Sequence, residues 1–339
     1  MKKLFILLLS AVMVFVLASC TSGGGGESGT GGNEKLLNDG VDRIGFAMAD
    51  VTGQAVQTEK TAFEAAATEM GFDECIVLSA ENSVETQITQ IRDLITRECD
   101  VIVIYSADAD GVVPAVQSCN EAGIPVVAVD RGISGGNIMC SIFSNNISDG
   151  RDVANYFGTL TSGEANDSVK LLHIIGNLSS TAQKERADGF RLGVENWGQM
   201  TIVNEVATDA DADRIYNAVV DAFKTDPDIK GIFVPYDQLL SPVVSALKEI
   251  NKFYPVGDPN HVMLGAVDGA TEQLEWLSQG TNDISISLDF SGFGAEAVRA
   301  ARDYIDGKPV PETIMTKSIV CTAGNIDYLV SSGMLWGKQ

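Results

Sequence analysis

Two histidines in 339 residues are too few for a metal cluster or a histidine-based catalytic triad. His173 falls inside an apolar strand pattern and reads as a core residue; His261 precedes another strand. Cys75, Cys99, Cys119, Cys140 and Cys321 show no CxxC pair and no regular spacing, so neither a zinc site nor a disulfide scaffold is indicated. Cys75 and Cys140 sit in strand-like runs and read as buried small thiols, although an oxidising compartment would permit one pairing. Neither a GxGxxG nor a P-loop pattern opens a helix, so a nucleotide has no phosphate cradle. Asp209, Asp211 and Asp213 lack the glycine and distal glutamate of a calcium loop and read as a solvated helix start. No cofactor and no metal is therefore expected. Basic residues are also scarce, 23 against 46 acidic ones. That balance disfavours nucleic acid and anionic lipid as partners. The acids are scattered through apolar-periodic segments, which describes a solvated surface and not an acidic tail.

The longest apolar run, Leu4 to Leu17, has fourteen residues, short of the roughly 20 that a spanning helix needs. Lys2 and Lys3 precede it, and Leu17-Ala18-Ser19-Cys20 closes it. This pattern resembles the bacterial lipoprotein signal, in which the cysteine is acylated and becomes the first mature residue. The resemblance implies a signal over 1–20, a lipid anchor on Cys20 and an extracytoplasmic mature chain. An ordinary secretory segment with a chance cysteine is the alternative. Thr21 to Gly32 (TSGGGGESGTGG) favours the tether. A coil over 21–40 reaches roughly 25 Å r.m.s., enough to float a domain off a membrane. The mature chain carries 21 basic and 46 acidic residues, a net of −25.

About 300 residues follow, enough for two ordinary domains. From Val41 one phrase repeats: a β-branched apolar run, a polar or glycine turn, then a helical stretch. Strands are expected at 43–49, 75–78, 101–105, 126–129 and 138–143, then at 170–175, 201–206, 231–234, 262–267 and 283–288. A last strand is expected over 313–319, followed by an irregular tail. Helices fall between them, among them 54–70, 83–97 and 147–160. Strands apolar on both faces that alternate with helices indicate parallel sheets covered on both sides. Ten such strands make one large sheet or two smaller ones; the break near Asn145-Asn146 favours two. In such folds ligand groups lie just past the carboxyl ends of strands. That rule selects 50–54 with Asp50 and Gln54, 106–110, Asp130 with Arg131, 177–186 with Ser180, 235–237 with Asp237, Asp268, and 288–290 with Asp289.

Several of these segments are recognisable together. Gly123-Ile124-Pro125-Val126-Val127-Ala128-Val129-Asp130-Arg131 resembles a strand and loop of the type I periplasmic solute-binding proteins, the ribose-, xylose- and galactose-binding group that feeds ABC importers. Glu85 to Ile91 (ETQITQI) resembles the second helix of the xylose-binding members, and Lys184 to Phe190 (KERADGF) and Leu264 to Gly269 (LGAVDG) resemble later motifs of the same group, all in register along the chain. The resemblance implies two Rossmann-like α/β lobes joined by three hinge crossings, near Ser144, Leu288 and Thr316. The lobes would be 41–143 plus 289–315 and 144–288 plus 316–339, with ligand between them. Closure is then a hinge motion driven by a ligand that touches both sides.

The resemblance assigns Asp130, Arg131, Arg186 and Asp268 to the ligand. A carboxylate accepts hydroxyl protons and a guanidinium offers a planar fork of donors, which suits a sugar. Each residue also has a plainer role. Asp130 and Arg131 can satisfy one another, Arg186 can be a solvated first-turn residue, and Asp268 can cap the helix that follows. The sequence departs from the group at three places. Tyr236 stands where an asparagine is usual, the 50–56 loop has no stacking aromatic, and Leu288 replaces a polar residue near the last hinge. Tyr236 offers a stacking face from the second lobe or is core. A smaller polyol, a modified sugar or a furanose derivative suits a site with one ring missing. The leading expectation is a monomeric, non-enzymatic receptor that delivers a monosaccharide or related neutral polyhydroxy molecule to an ABC permease. The alternatives are a receptor that presents sugar to a sensor kinase or chemoreceptor, and an enzyme using a carboxylate pair such as Asp130 with Asp268.

Overall fold

The computed structural model describes residues 40–338. The signal, Cys20 and most of the linker lie outside the described residues. Strand β1 (Arg43–Met48) leads to helix α1 (Gln54–Glu69), β2 (Glu74–Ser79), α2 (Val84–Thr96), β3 (Val101–Tyr105), α3 (Val113–Glu121), β4 (Val126–Val129) and β5 (Cys140–Phe143). A second series follows: α4 (Asn146–Leu160), β6 (Val169–Ile175), α5 (Thr181–Glu195), β7 (Met200–Ala207), α6 (Ala212–Thr225), β8 (Ile229–Phe233), α7 (Leu240–Glu249), β9 (Met263–Asp268), α8 (Thr271–Ser278) and β10 (Ile284–Leu288). The chain ends with α9 (Phe290–Ile305), β11 (Thr313–Met315), β12 (Ser318–Thr322) and α10 (Ile326–Ser331).

Two six-stranded sheets result, ordered β11-β5-β4-β3-β1-β2 and β12-β10-β9-β8-β6-β7. Described pairings are parallel except β10 with β12, which is antiparallel. The central strands explain why. Val101 to Tyr105 and Val126 to Val129 are buried along their whole length, as strands covered by helices on both faces must be. The helices are cut by local signals. Ser83 accepts a bond from the Thr86 amide and Asn145 from the Ser148 amide, which satisfies orphan donors of α2 and α4. None of the described helices is long and apolar enough to cross a membrane.

The stretch 313–319, expected as one strand, is two. Thr313 to Met315 pairs with β5 in the first sheet, and Ser318 to Thr322 pairs with β10 in the second. An apolar run cannot report which sheet its halves join. The tail is likewise not irregular: it forms α10 and a short 3-10 turn that begins at Trp336. Cys75, expected to be buried, is exposed because β2 is an edge strand. The other four described cysteines are buried, and all five are free thiols.

Helices α4 and α5 touch through glycine. A Cβ on Gly150 would lie 1.9 Å from the Arg186 carbonyl oxygen, and one on Gly189 would lie 2.0 Å from that of Ile147. Backbone meets backbone here, so no side chain can yield. Gly189→Ala is expected to cost about 1–3 kcal/mol, read from urea unfolding. A wild-type midpoint would show that the helix pair has slack.

Candidate functional site

A cavity of about 380 Å³ lies between the carboxyl edges of the two sheets. Asp50, Tyr105, Asp130 and Arg131 reach it from the first sheet; Ser180, Arg186, Tyr236 and Asp268 reach it from the second. The parallel strands of each sheet point one way, so their following loops gather at one edge. Both Asp130 (φ 59°) and Asp268 (φ 100°) have left-handed backbone, a conformation that costs a non-glycine residue energy and collects at binding sites.

Arg186 is 3 % exposed and fully employed on its inner side. Its Nε donates to Asn146 Oδ1 at 2.9 Å, and its Nη1 donates to the Pro235 carbonyl and to Asp268 Oδ1, both at 2.9 Å. It is not a solvated first-turn residue. Nor does Asp268 cap α8, whose start has no side-chain cap. Burial pushes the Asp268 carboxyl up to about 6, against the pull of the Arg186 guanidinium. Arg131 lies 4.3 Å above the Tyr105 ring, a cation–π contact, and its Nη1 donates to the Ser106 carbonyl at 3.3 Å. Asp130 and Arg131 do not neutralise one another by a hydrogen bond. The Asp130 carboxylate feels Arg131 and Arg186 only through space, and burial raises its pKa. Tyr236 lines the cavity, and burial pushes its hydroxyl up to about 12.

Three expected site residues stand elsewhere. Asp237 turns inward to accept the Ala270 amide at 2.7 Å; burial, then the nearby Asp268, hold its carboxyl well above the usual range. Asp289 caps α9 by accepting the Gly292 amide at 2.8 Å. Gln54 spans the cleft: its Nε2 donates to Thr271 Oγ1 at 2.8 Å, and its Oε1 accepts the Thr271 amide at 3.1 Å. Position after a strand placed these residues near the site but could not tell which way they turn. Ser180 does line the cavity while also capping α5.

Other contributions escaped sequence reasoning. Trp336 donates from Nε1 to the Asp268 carbonyl at 2.9 Å and meets Phe290, a cavity-lining ring, edge-on at 5.1 Å. Nothing local marks it. Glu59 left a signal: it shares the buried α1 face of Val56, Phe63 and Ala67, where a carboxylate is out of place.

Gln54 is one of several direct bridges between the lobes. The Gly132 amide donates to Thr181 Oγ1 at 2.7 Å, and the Ala109 amide to the Ser179 carbonyl at 3.3 Å. Direct protein-to-protein hydrogen bonds therefore join the two sides of the cleft. Gln54→Ala is expected to raise the radius of gyration of the ligand-free protein in small-angle scattering, with the difference removed by ligand. An unchanged scattering curve would show that the bridge does not bias closure.

Two parallel-dominated sheets with a charged cavity at their shared carboxyl edge define a two-lobed binding protein. The chain belongs to the periplasmic binding protein domain family, whose match covers residues 44–309, and it is not an enzyme. It is 24 % identical to the ribose import binding protein of Escherichia coli (strain K12), over 79 % of this chain and 86 % of that protein. The ribose import binding protein of Bacillus subtilis (strain 168) is 23 % identical over 93 % of this chain and 97 % of its own length. Among solved structures, an ABC transporter solute-binding protein from Mycobacterium smegmatis with bound glycerol superposes with a TM-score of 0.77 at 25 % identity. The superposition covers 85 % of this chain and 96 % of that one.

Proposed function

We propose that this protein is the extracytoplasmic solute-binding component of an ABC importer and binds a monosaccharide or related polyhydroxy molecule between its lobes. The observation that carries the reading is the meeting of Asp130, Arg131, Arg186 and Asp268 in one cavity. Acceptors and donors alternate there over a space of sugar size, beside the Tyr236 ring. The relatives support it by what their names say they bind, ribose in one and fructose in another that is also 24 % identical. Residues 41–143 with 289–315 and residues 144–288 with 316–339 act as the hinged lobes. Acylation of Cys20 holds a monomeric chain to the membrane, and the permease receives the ligand. A thermal-shift screen of sugars and polyols tests the reading, since a ligand that binds only the folded state raises the midpoint. Failure of every such compound to shift it would refute the assignment.

Ligand affinity is expected to fall as pH drops from about 7 to about 5, because Asp268 accepts hydroxyl protons best when ionised. Stability follows the opposite sign. A buried acid whose folded pKa lies above its unfolded value takes up protons more readily in the native state. Asp268 therefore adds to stability as pH falls through about 6. Calorimetric titration beside a melt at each pH separates the two. Constant affinity across that interval would remove ionised Asp268 from the ligand contacts.

A further inference from the structure

The first-lobe end of the cavity has more hydrogen-bond acceptors than the protein uses. Asp268 is matched by Arg186, and Asp209, also on the lining, is matched by Arg214. Arg131, with Arg186 acting on Asp130 through space, remains for both Asp130 and Asp50, whose charges act on one another and on Arg131. Arg131 spends its face on Tyr105 and its Nη1 on a backbone carbonyl. Asp130, 8 % exposed, meets charge only through space, and Asp50 takes one oxygen to its own turn through the Thr52 amide at 3.1 Å. On the buried face of α1, Glu59 is 0 % exposed, with neither side-chain oxygen bonded to any partner. Burial, then the Asp130 charge, raise the Glu59 pKa well above the ordinary carboxylate range.

Hydroxyls alone match this end poorly, since each donates one proton and brings acceptor lone pairs of its own. An ammonium brings three donors, no acceptor and one positive charge. We propose that the ligand is an amino monosaccharide whose protonated amine is held between Asp50 and Asp130, with its hydroxyls turned to Arg131, Arg186 and Asp268. The proposal rests on the sugar-binding reading above and narrows it. Lobe closure brings the ammonium to an already desolvated Asp130, so the charge pair is formed where water screens it least.

The test is calorimetric titration of the purified full chain at pH about 6.5, where an amine of this kind is protonated. D-glucosamine, D-galactosamine and D-mannosamine are each compared with the parent hexose and with the N-acetylated form, which keeps the bulk and loses the charge. At least one amine is expected to bind about tenfold tighter than both of its uncharged partners, the scale of one charge-assisted hydrogen bond. Asp50→Asn is expected to abolish that preference, so that the amine binds the variant no tighter than the parent hexose does. Parent hexoses that bind as well as the amines, with Asp50→Asn changing nothing, would overturn the amine assignment and leave the sugar reading in place. No binding by any of the nine compounds, by pentoses, by ketohexoses or by the neutral polyols would overturn both.

Discussion

Asp268→Ala is expected to abolish ligand binding and to destabilise the ligand-free protein by about 3–5 kcal/mol. The size follows from what is left behind. Arg186 is buried, and its Nη1 would keep only the Pro235 carbonyl of its two acceptors. A guanidinium in that setting loses its one hydrogen-bonded carboxylate, with Asp130 and Asp149 acting on it only through space. Loss of the side chain also loosens the Asp268 turn, whose backbone is left-handed and whose carbonyl anchors Trp336. Sequence offered Asp268 as a ligand contact or a helix cap and not as a partner of Arg186, because that pairing joins positions 82 residues apart. Urea unfolding and calorimetry on the variant check both halves. A stable, non-binding variant would mean Arg186 finds another partner; an unstable variant that still binds would make Asp268 structural.

Arg131→Ala should behave differently. Affinity is expected to fall by about two orders of magnitude, the scale of truncating one member of a buried charge contact, with the ligand-free melting temperature nearly unchanged. Arg131 makes one long bond to a carbonyl and lies on the Tyr105 ring, so its removal strands no hydrogen-bonded carboxylate. The Asp130 carboxyl, already raised by burial, answers the loss by holding its proton more tightly. A melt lowered as far as that of Asp268→Ala would show that the guanidinium holds the fold. Binding within a few-fold of wild type would remove it from the ligand.

These two variants separate roles that look alike along the chain. Asp130, Arg131 and Asp268 each follow or end a buried parallel strand, and that position sufficed to bring them to one cavity. Gln54, Asp237 and Asp289 satisfy the same positional rule, yet each is taken by a neighbouring backbone or by the opposite lobe. A loop residue's place is set by strand order, which periodicity reveals. Its direction is set by which unpaired amide lies within reach, and those amides belong to elements distant in sequence.

The strand–helix alternation, its period and its caps are local, since each is written within a few turns of chain. They determined parallel strands covered by helices and the loops past the strand ends where ligand groups gather, while the paired lobes and the ligand roles of Asp130, Arg131, Arg186 and Asp268 followed from the family resemblance. Only the tertiary structure decided that 313–319 divides between the sheets, that Trp336 returns to the Asp268 carbonyl, and that the buried Glu59 carboxyl has no hydrogen-bond partner. Such contacts close loops of up to hundreds of residues, and their energy depends on burial and partner geometry that no short window of sequence contains.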